Sequence, residues 1–412
     1  MSADHDQVTY GDIEAAQQRH DDETVVKQTP VDRSTSLAAM CGADEVYLKM
    51  EHLQWTGSFK TRGAYNKISY EVEENDAEQF IAASAGNHAQ GVALAATKCG
   101  ADSTIVMPKT APQTKIDATR GYGATVELVG HDFQDAMEYA QTQAAESDDA
   151  VFVHAYDDPL IVAGQGTLGV EMYEQCPDVD TVVVPIGGGG LIGGISTALD
   201  HLSDDVRVVG VQASGAETVV ESLDKGIPQT LDSVDTIADG IATGGISELT
   251  LGLIQEHVDE VVTVSDGDIA NAIMLSLERT KQFIEGAAGA SIAAMLGDDL
   301  DVEGETVMPL LCGGNLDMTM LQNVIVHALT DRDQILRLRV HIDDRPGQME
   351  TLSGVIADHN ANIQTVRHER AVKDLDVGDA YLVFQVETSG REHARDIIDD
   401  IEAHGYPVDL VN

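Results

Sequence analysis

Residues 181–191 read TVVVPIGGGGL: an apolar β-branched run, four glycines, then the opening of a helical pattern. A strand that is apolar on both faces belongs in a sheet covered on both sides. A glycine loop at its carboxyl end sets the next helix N-terminus where open α/β sheets bind ligands. Without Cβ atoms, the amides of Gly187, Gly188, Gly189 and Gly190 can close on an oxyanion. With Gly193 the stretch also satisfies GxGxxG. That dinucleotide fingerprint expects an acidic residue at the end of the next strand, and the run Arg207–Val211 ends at Gln212. A phosphate monoester fits the loop better than a dinucleotide.

On either side the same alternation continues. Further candidate strands are Glu45–Met50, Phe80–Ser84, Thr104–Met107, Thr125–Val129, Val151–His154, Val261–Val264 and Val307–Leu311. Amphipathic segments lie between them, among them Phe133–Ala145, Ile161–Glu174 and Asp268–Gln282. Such a pattern predicts parallel sheets covered by helices, and its length predicts two α/β lobes with a cleft between them, the smaller over about 60–150. The pattern changes near Ala328–Asp333. Strand Ile335–Ile342, helix Met349–His359, strands Ile363–Glu369 and Ala380–Glu387, helix Glu392–His404 and strand Val408–Val411 follow, a ferredoxin-like βαββαβ unit. The expected domains are therefore 1–328 and 329–412.

The 412 residues carry 71 acidic and 24 basic side chains, a net charge of −47. The acids are spread along the whole chain, so the surface repels itself unless salt shortens the Debye length, to about 3 Å in molar salt. A high-salt cytoplasm explains this composition. It speaks against nucleic acid or anionic membrane as a partner, since phosphates need Lys and Arg. The four cysteines are widely spaced, without a CxxC pair, and suggest neither a disulfide framework nor a zinc site. No stretch of about 18 apolar residues occurs, and a soluble cytoplasmic protein is expected.

Three further motifs carry chemistry. In Thr56-Gly57-Ser58-Phe59-Lys60-Thr61-Arg62-Gly63-Ala64, Ser58 is placed to cap a helix. Lys60 then falls in its first turn, where the positive end of the dipole disfavours an ammonium and suits an amine nucleophile. Ser84-Ala85-Gly86-Asn87-His88-Ala89-Gln90-Gly91 joins a strand to an Ala-rich helix, and its free amides form an anion site. His88 has no carboxylate or nucleophile nearby in sequence and reads as structural. The last motif, Leu311-Cys312-Gly313-Gly314-Asn315, follows an apolar strand.

In order and spacing, these motifs resemble those of fold-type II pyridoxal-phosphate (PLP) enzymes, and in detail the threonine/serine dehydratases, over about residues 10–325. The C-terminal segment resembles an ACT domain, an amino-acid-binding regulatory module. The resemblance implies that Lys60 carries the cofactor as a Schiff base and serves as the base, with Phe59 beside the ring. It implies that Asn87 bonds the cofactor's 3-oxygen, that Gly187–Gly190 and Leu191 cradle its phosphate, and that Cys312 faces the pyridine nitrogen. The substrate carboxylate falls to Ser84, Ala85, Gly86, Asn87 and His88. Serine racemases of the family carry a second Ser where this chain has Ala85, which favours the dehydratase and leaves racemase as the alternative. In some relatives a cation site has a carboxylate matching Gln212; the neutral amide here gives no metal. Implied partners are an amino-acid substrate, isoleucine or valine as effector, and further copies in a homo-oligomer.

Overall fold

The computed structural model describes residues 7–20, 25–147, 149–373 and 375–411 and divides into two compact units, 1–317 and 318–412. In the first unit the run Thr181–Pro185 is buried at every position. It lies inside a six-stranded sheet ordered Val31–Arg33, Glu45–Lys49, Thr306–Pro309, Thr181–Pro185, Arg207–Ala213, Glu260–Val264. All neighbours are parallel except the first pair. A second sheet pairs Thr125–Leu128, Asp102–Met107, Gln79–Ala83 and Ala150–Phe152 in parallel. Two parallel α/β lobes are thus present, as the strand pattern predicts.

Helices Lys60–Asn75, Asn87–Cys99 and Pro159–Gln175 pack together. Close approach to Lys60 is possible because residue 91 is glycine: a Cβ there would stand 3.1 Å from the Lys60 carbonyl carbon. Behind this helix start lies a buried cluster of four charges. Arg62 Nε donates to Glu51 Oε1 at 2.6 Å and Arg62 Nη2 to Glu171 Oε2 at 2.6 Å. Lys49 Nζ meets Glu171 Oε1 at 2.5 Å and also donates to Gln175 Oε1 and the Thr29 carbonyl. Lys49 and Glu51 are 0% exposed and Arg62 2%. Two cations and two anions cancel, which is what makes such burial tolerable.

Several local readings change. The helix at Lys60 starts one residue after Phe59, with no side-chain cap. Ser58 instead forms a β-bridge with Gly313, its hydroxyl is buried, and Phe59 takes the N-cap position. The helix expected over 268–282 runs Asp266–Leu275 and then winds as a π turn, Ser276–Thr280. There the Gln282 N–H returns to the Ser276 carbonyl and Lys281 turns left-handed at φ 63°, so the chain leaves the helix before residue 285. A capped helix, Tyr10–Arg19, precedes the first strand.

The second unit starts at Met318 and not at 329, because helix Met318–Asp331 packs on strand Ile335–Asp343. Its antiparallel sheet is ordered Asn362–Glu369, Asp379–Glu387, Ile335–Asp343, Val408–Leu410. Helices Gln348–Asp358 and Arg391–Ala403 complete βαββαβ. Leu338, Val340, Leu352, Ile356, Phe384 and Ile397 form its core.

Glu171→Ala would leave Lys49 and half of Arg62 buried without their anion. The expected loss in unfolding free energy is about 3–5 kcal/mol, measured by denaturant titration; a loss below about 1 kcal/mol would show that water or a shifted side chain compensates.

Candidate active site

A cavity of about 450 Å³ is lined by residues that follow the carboxyl ends of strands in both sheets. It gathers Phe59, Lys60, Ser84, Ala85, Gly86, Asn87, His88, Gly187, Gly188, Gly189, Gly190, Leu191 and Cys312, the whole set that the sequence singles out. Lys60 is the first residue of its helix, and its Nζ donates to the Ala155 carbonyl at 3.2 Å. Burial pulls its amine down to about 8, against the opposing pull of Cys312 and Glu285. The Phe59 ring centroid lies 4.9 Å from Nζ.

Opposite the lysine, Gly189 adopts φ 87° and opens helix Gly190–Leu202 without a side-chain cap. Tyr156 covers this loop: a Cβ on Gly188 would lie 2.2 Å from the Tyr156 ring. Loop 84–86 leads into helix Asn87–Cys99, likewise uncapped by a side chain, so its first amides remain suited to a carboxylate. His88 Nε2 donates to the Val153 carbonyl at 2.9 Å, and burial lowers its pKa to about 3, which keeps the ring neutral. His154 Nδ1 accepts the backbone N–H of Asp157 at 2.8 Å, and burial lowers its pKa as well. The Cys312 thiol, 1% exposed, is held well above its usual range by burial and then by Glu285. The cavity therefore presents one depressed amine among neutral rings and a protonated thiol.

The model of the family described as "Pyridoxal-phosphate dependent enzyme" matches residues 23–313. This chain belongs to the pyridoxal-phosphate dependent enzymes. An L-threonine ammonia-lyase of Thermotoga maritima is 43% identical over 98% of this chain and all of its own. The processed form of threonine deaminase isoform 2 from Solanum lycopersicum superposes with a TM-score of 0.73 at 35% identity, covering 77% of this chain and 86% of that one. Maize serine racemase superposes with a TM-score of 0.72 at 32% identity, covering 79% and 99%.

Pyridoxal 5'-phosphate is the cofactor of this PLP enzyme, and the residues present fit it. Cβ atoms on Gly188 and Gly190 would run into Tyr156 and one on Gly189 into Thr250, so only glycine lets the loop pack here with its backbone amides suited to a phosphate, and the depressed amine of Lys60 suits an aldehyde. Among the described residues no group of three or more His, Cys, Asp or Glu gathers as a metal site. The Gln212 amide donates to the Ala216 carbonyl and accepts from the N–H groups of Thr218 and Val219.

Sequence reasoning missed part of the wall. Ala155 and Tyr156 lie just past a strand end, where the positional rule for ligand sites could have flagged them. Lys115 and Asp239 form an ion pair of 3.2 Å at the rim, with no motif to mark either. Glu285, buried in the floor, precedes a Gly/Ala-rich helix; an acid among such small residues is the signal that was available.

Gly188→Val should weaken PLP binding at least about tenfold, because its side chain must displace Tyr156 or the phosphate. Fluorescence titration of the apoenzyme checks this; wild-type affinity in a folded variant would make the loop a mere turn.

Proposed function

We propose that this enzyme is a threonine ammonia-lyase, converting L-threonine to 2-oxobutanoate and ammonia, with L-serine to pyruvate as a second reaction. The observation that carries this reading is the Lys60 amine, depressed by burial to about 8 and lining one cavity with the uncapped start of helix Asn87–Cys99, in a chain 43% identical to an L-threonine ammonia-lyase over 98% of its length.

Bound pyridoxal phosphate supplies the electron sink that stabilises negative charge at the substrate α-carbon. Gly187–Gly190 and Leu191 would hold its phosphate, Phe59 would pack beside its ring and Asn87 would donate to its 3-oxygen. The amides of Ser84–His88 hold the substrate carboxylate, which sets the α-carbon–hydrogen bond toward Lys60. Lys60 Nζ then takes the α-proton; an amine near neutral pKa does this efficiently. The β-hydroxyl departs as water with the proton that Lys60 has taken up, and the enamine product takes up water and releases ammonia. Cys312, a buried protonated thiol, would face the cofactor's pyridine nitrogen as a weak acid with no negative charge to offer it. Ala85 has no proton to return to the opposite face, so elimination wins over racemisation.

The second unit is proposed to be an ACT domain that binds isoleucine, or valine, and lowers the rate, in keeping with a place at the start of isoleucine biosynthesis. Supporting this are its βαββαβ order and Gly347 at φ 99°, opening helix Gln348–Asp358 with no side-chain cap. The protein is further proposed to be a cytoplasmic homo-oligomer, and its 71 acidic residues support adaptation to high salt. No helix among the described residues is long and apolar enough to cross a membrane.

One assay tests the reading: purified full-length enzyme in molar KCl with L-threonine or L-serine, with and without isoleucine or valine, scored for keto acid and D-amino acid. Keto acid from L-threonine, slowed by isoleucine, is expected. D-amino acid in place of keto acid would make the protein a racemase.

A further inference from the structure

Glu285 belongs to none of the four motifs, yet the floor of the cavity is built around it. It occupies the N-cap position of helix Gly286–Leu296 but does not cap that helix. Its carboxylate reaches elsewhere. Oε1 accepts from Asn87 Nδ2 at 2.8 Å, and Oε2 accepts from the Asn315 backbone N–H at 3.1 Å. Asn315 Nδ2 in turn donates to Asn87 Oδ1 at 2.8 Å and to the Thr56 carbonyl at 2.7 Å. The Asn87 amide is thereby fixed at both ends, since only its NH₂ can face a carboxylate and only its oxygen can face the Asn315 amide. An amide NH₂ has two donors, so one N–H of Asn87 remains.

Room for the carboxylate is made on two sides. A Cβ on Gly313 would lie 2.2 Å from Glu285 Oε1, and one on Gly240 2.9 Å. The charged and titratable groups around it are Lys60, Cys312, Asp239 and Lys115. Burial pushes its carboxyl up to about 7, against the hydrogen bonds from Asn315 and Asn87. A carboxylate that only filled space would be replaced at less cost by an amide or an apolar side chain.

We propose that Glu285 is a positioning residue for the cofactor: it locks the Asn87 amide so that the remaining N–H meets the cofactor's 3-oxygen. This rests on the reading that Asn87 faces that oxygen. Loss of the carboxylate removes one of the two contacts that hold the amide and leaves only Asn315 to oppose its turning the oxygen toward the cofactor, where two acceptors repel. Ionisation of Glu285 changes the field at Lys60, so the bound cofactor reports the titration of this carboxyl.

The test uses full-length Glu285→Gln, Glu285→Asp, Asn87→Ala and the Glu285→Gln/Asn87→Ala double variant. PLP affinity is read by fluorescence titration, and the absorbance of the bound cofactor is followed from pH 6 to 9. Glu285→Gln is expected to weaken PLP binding about tenfold and to shift or abolish a spectral transition near neutrality. Glu285→Asp, which keeps the charge, should restore part of both. If the effect acts through Asn87, the double variant is no worse than Asn87→Ala alone. A silent Glu285→Gln beside a defective Asn87→Ala would overturn the role of Glu285 only. Wild-type affinity and spectrum in Asn87→Ala would overturn the reading of Asn87, and the proposal with it.

Discussion

The clasp of Arg62 by Glu51 and Glu171 is the interaction on which the site depends. Arg62 stands two residues beyond Lys60 on the same helix, and its guanidinium is tied to Glu171 on helix Pro159–Gln175 and to Glu51 beside the six-stranded sheet. Burial alone would raise the Glu171 carboxyl, but Arg62 and Lys49 hold it below the usual carboxylate range. A neutral cluster of this kind is costly to break and insensitive to surface screening, which matters in a chain whose outer face carries most of a −47 charge. It gives the first turn of the Lys60 helix a fixed position while leaving the amine itself without a carboxylate partner in hydrogen-bond contact. The amine can then be depressed by burial.

The same division of labour recurs around the cavity. Groups that would compete for a proton are kept neutral: His88 by a backbone carbonyl and burial, His154 by backbone amides and burial, Cys312 by burial. The helix starts at Gly187–Gly190 and Ser84–His88 have no side-chain cap, and their backbone amides are suited to oxyanions without a basic side chain. Such sites suit a protein with 24 basic residues against 71 acidic, because they draw on no arginine.

Much of this was legible in the sequence because each motif is a contiguous strand–loop–helix step whose geometry is local. Thr181–Leu191 carries its burial, its turn and its uncapped helix start within one short run. The C-terminal unit was equally readable, since alternation along Ile335–Asp343 and Asp379–Glu387 and the helical period between them are short-range signals. What could not be read depends on partners far away in the chain. Glu285 gains its role from Asn87, 198 residues earlier, and Arg62 from Glu171, 109 residues later. Ser58 failed as a cap for the same reason, because its strand-like bridge to Gly313 overrides the local preference. The boundary at Met318 was missed because helix Met318–Asp331 resembles the preceding helices in period, and only its packing assigns it.

The central claim is that Lys60 alone binds the cofactor covalently, and borohydride reduction of the holoenzyme tests it most directly. After proteolysis, mass spectrometry should find one pyridoxyl group, on the peptide containing Lys60, and none in Lys60→Ala. A pyridoxyl group on any other lysine, or an equal yield from Lys60→Ala, would contradict it.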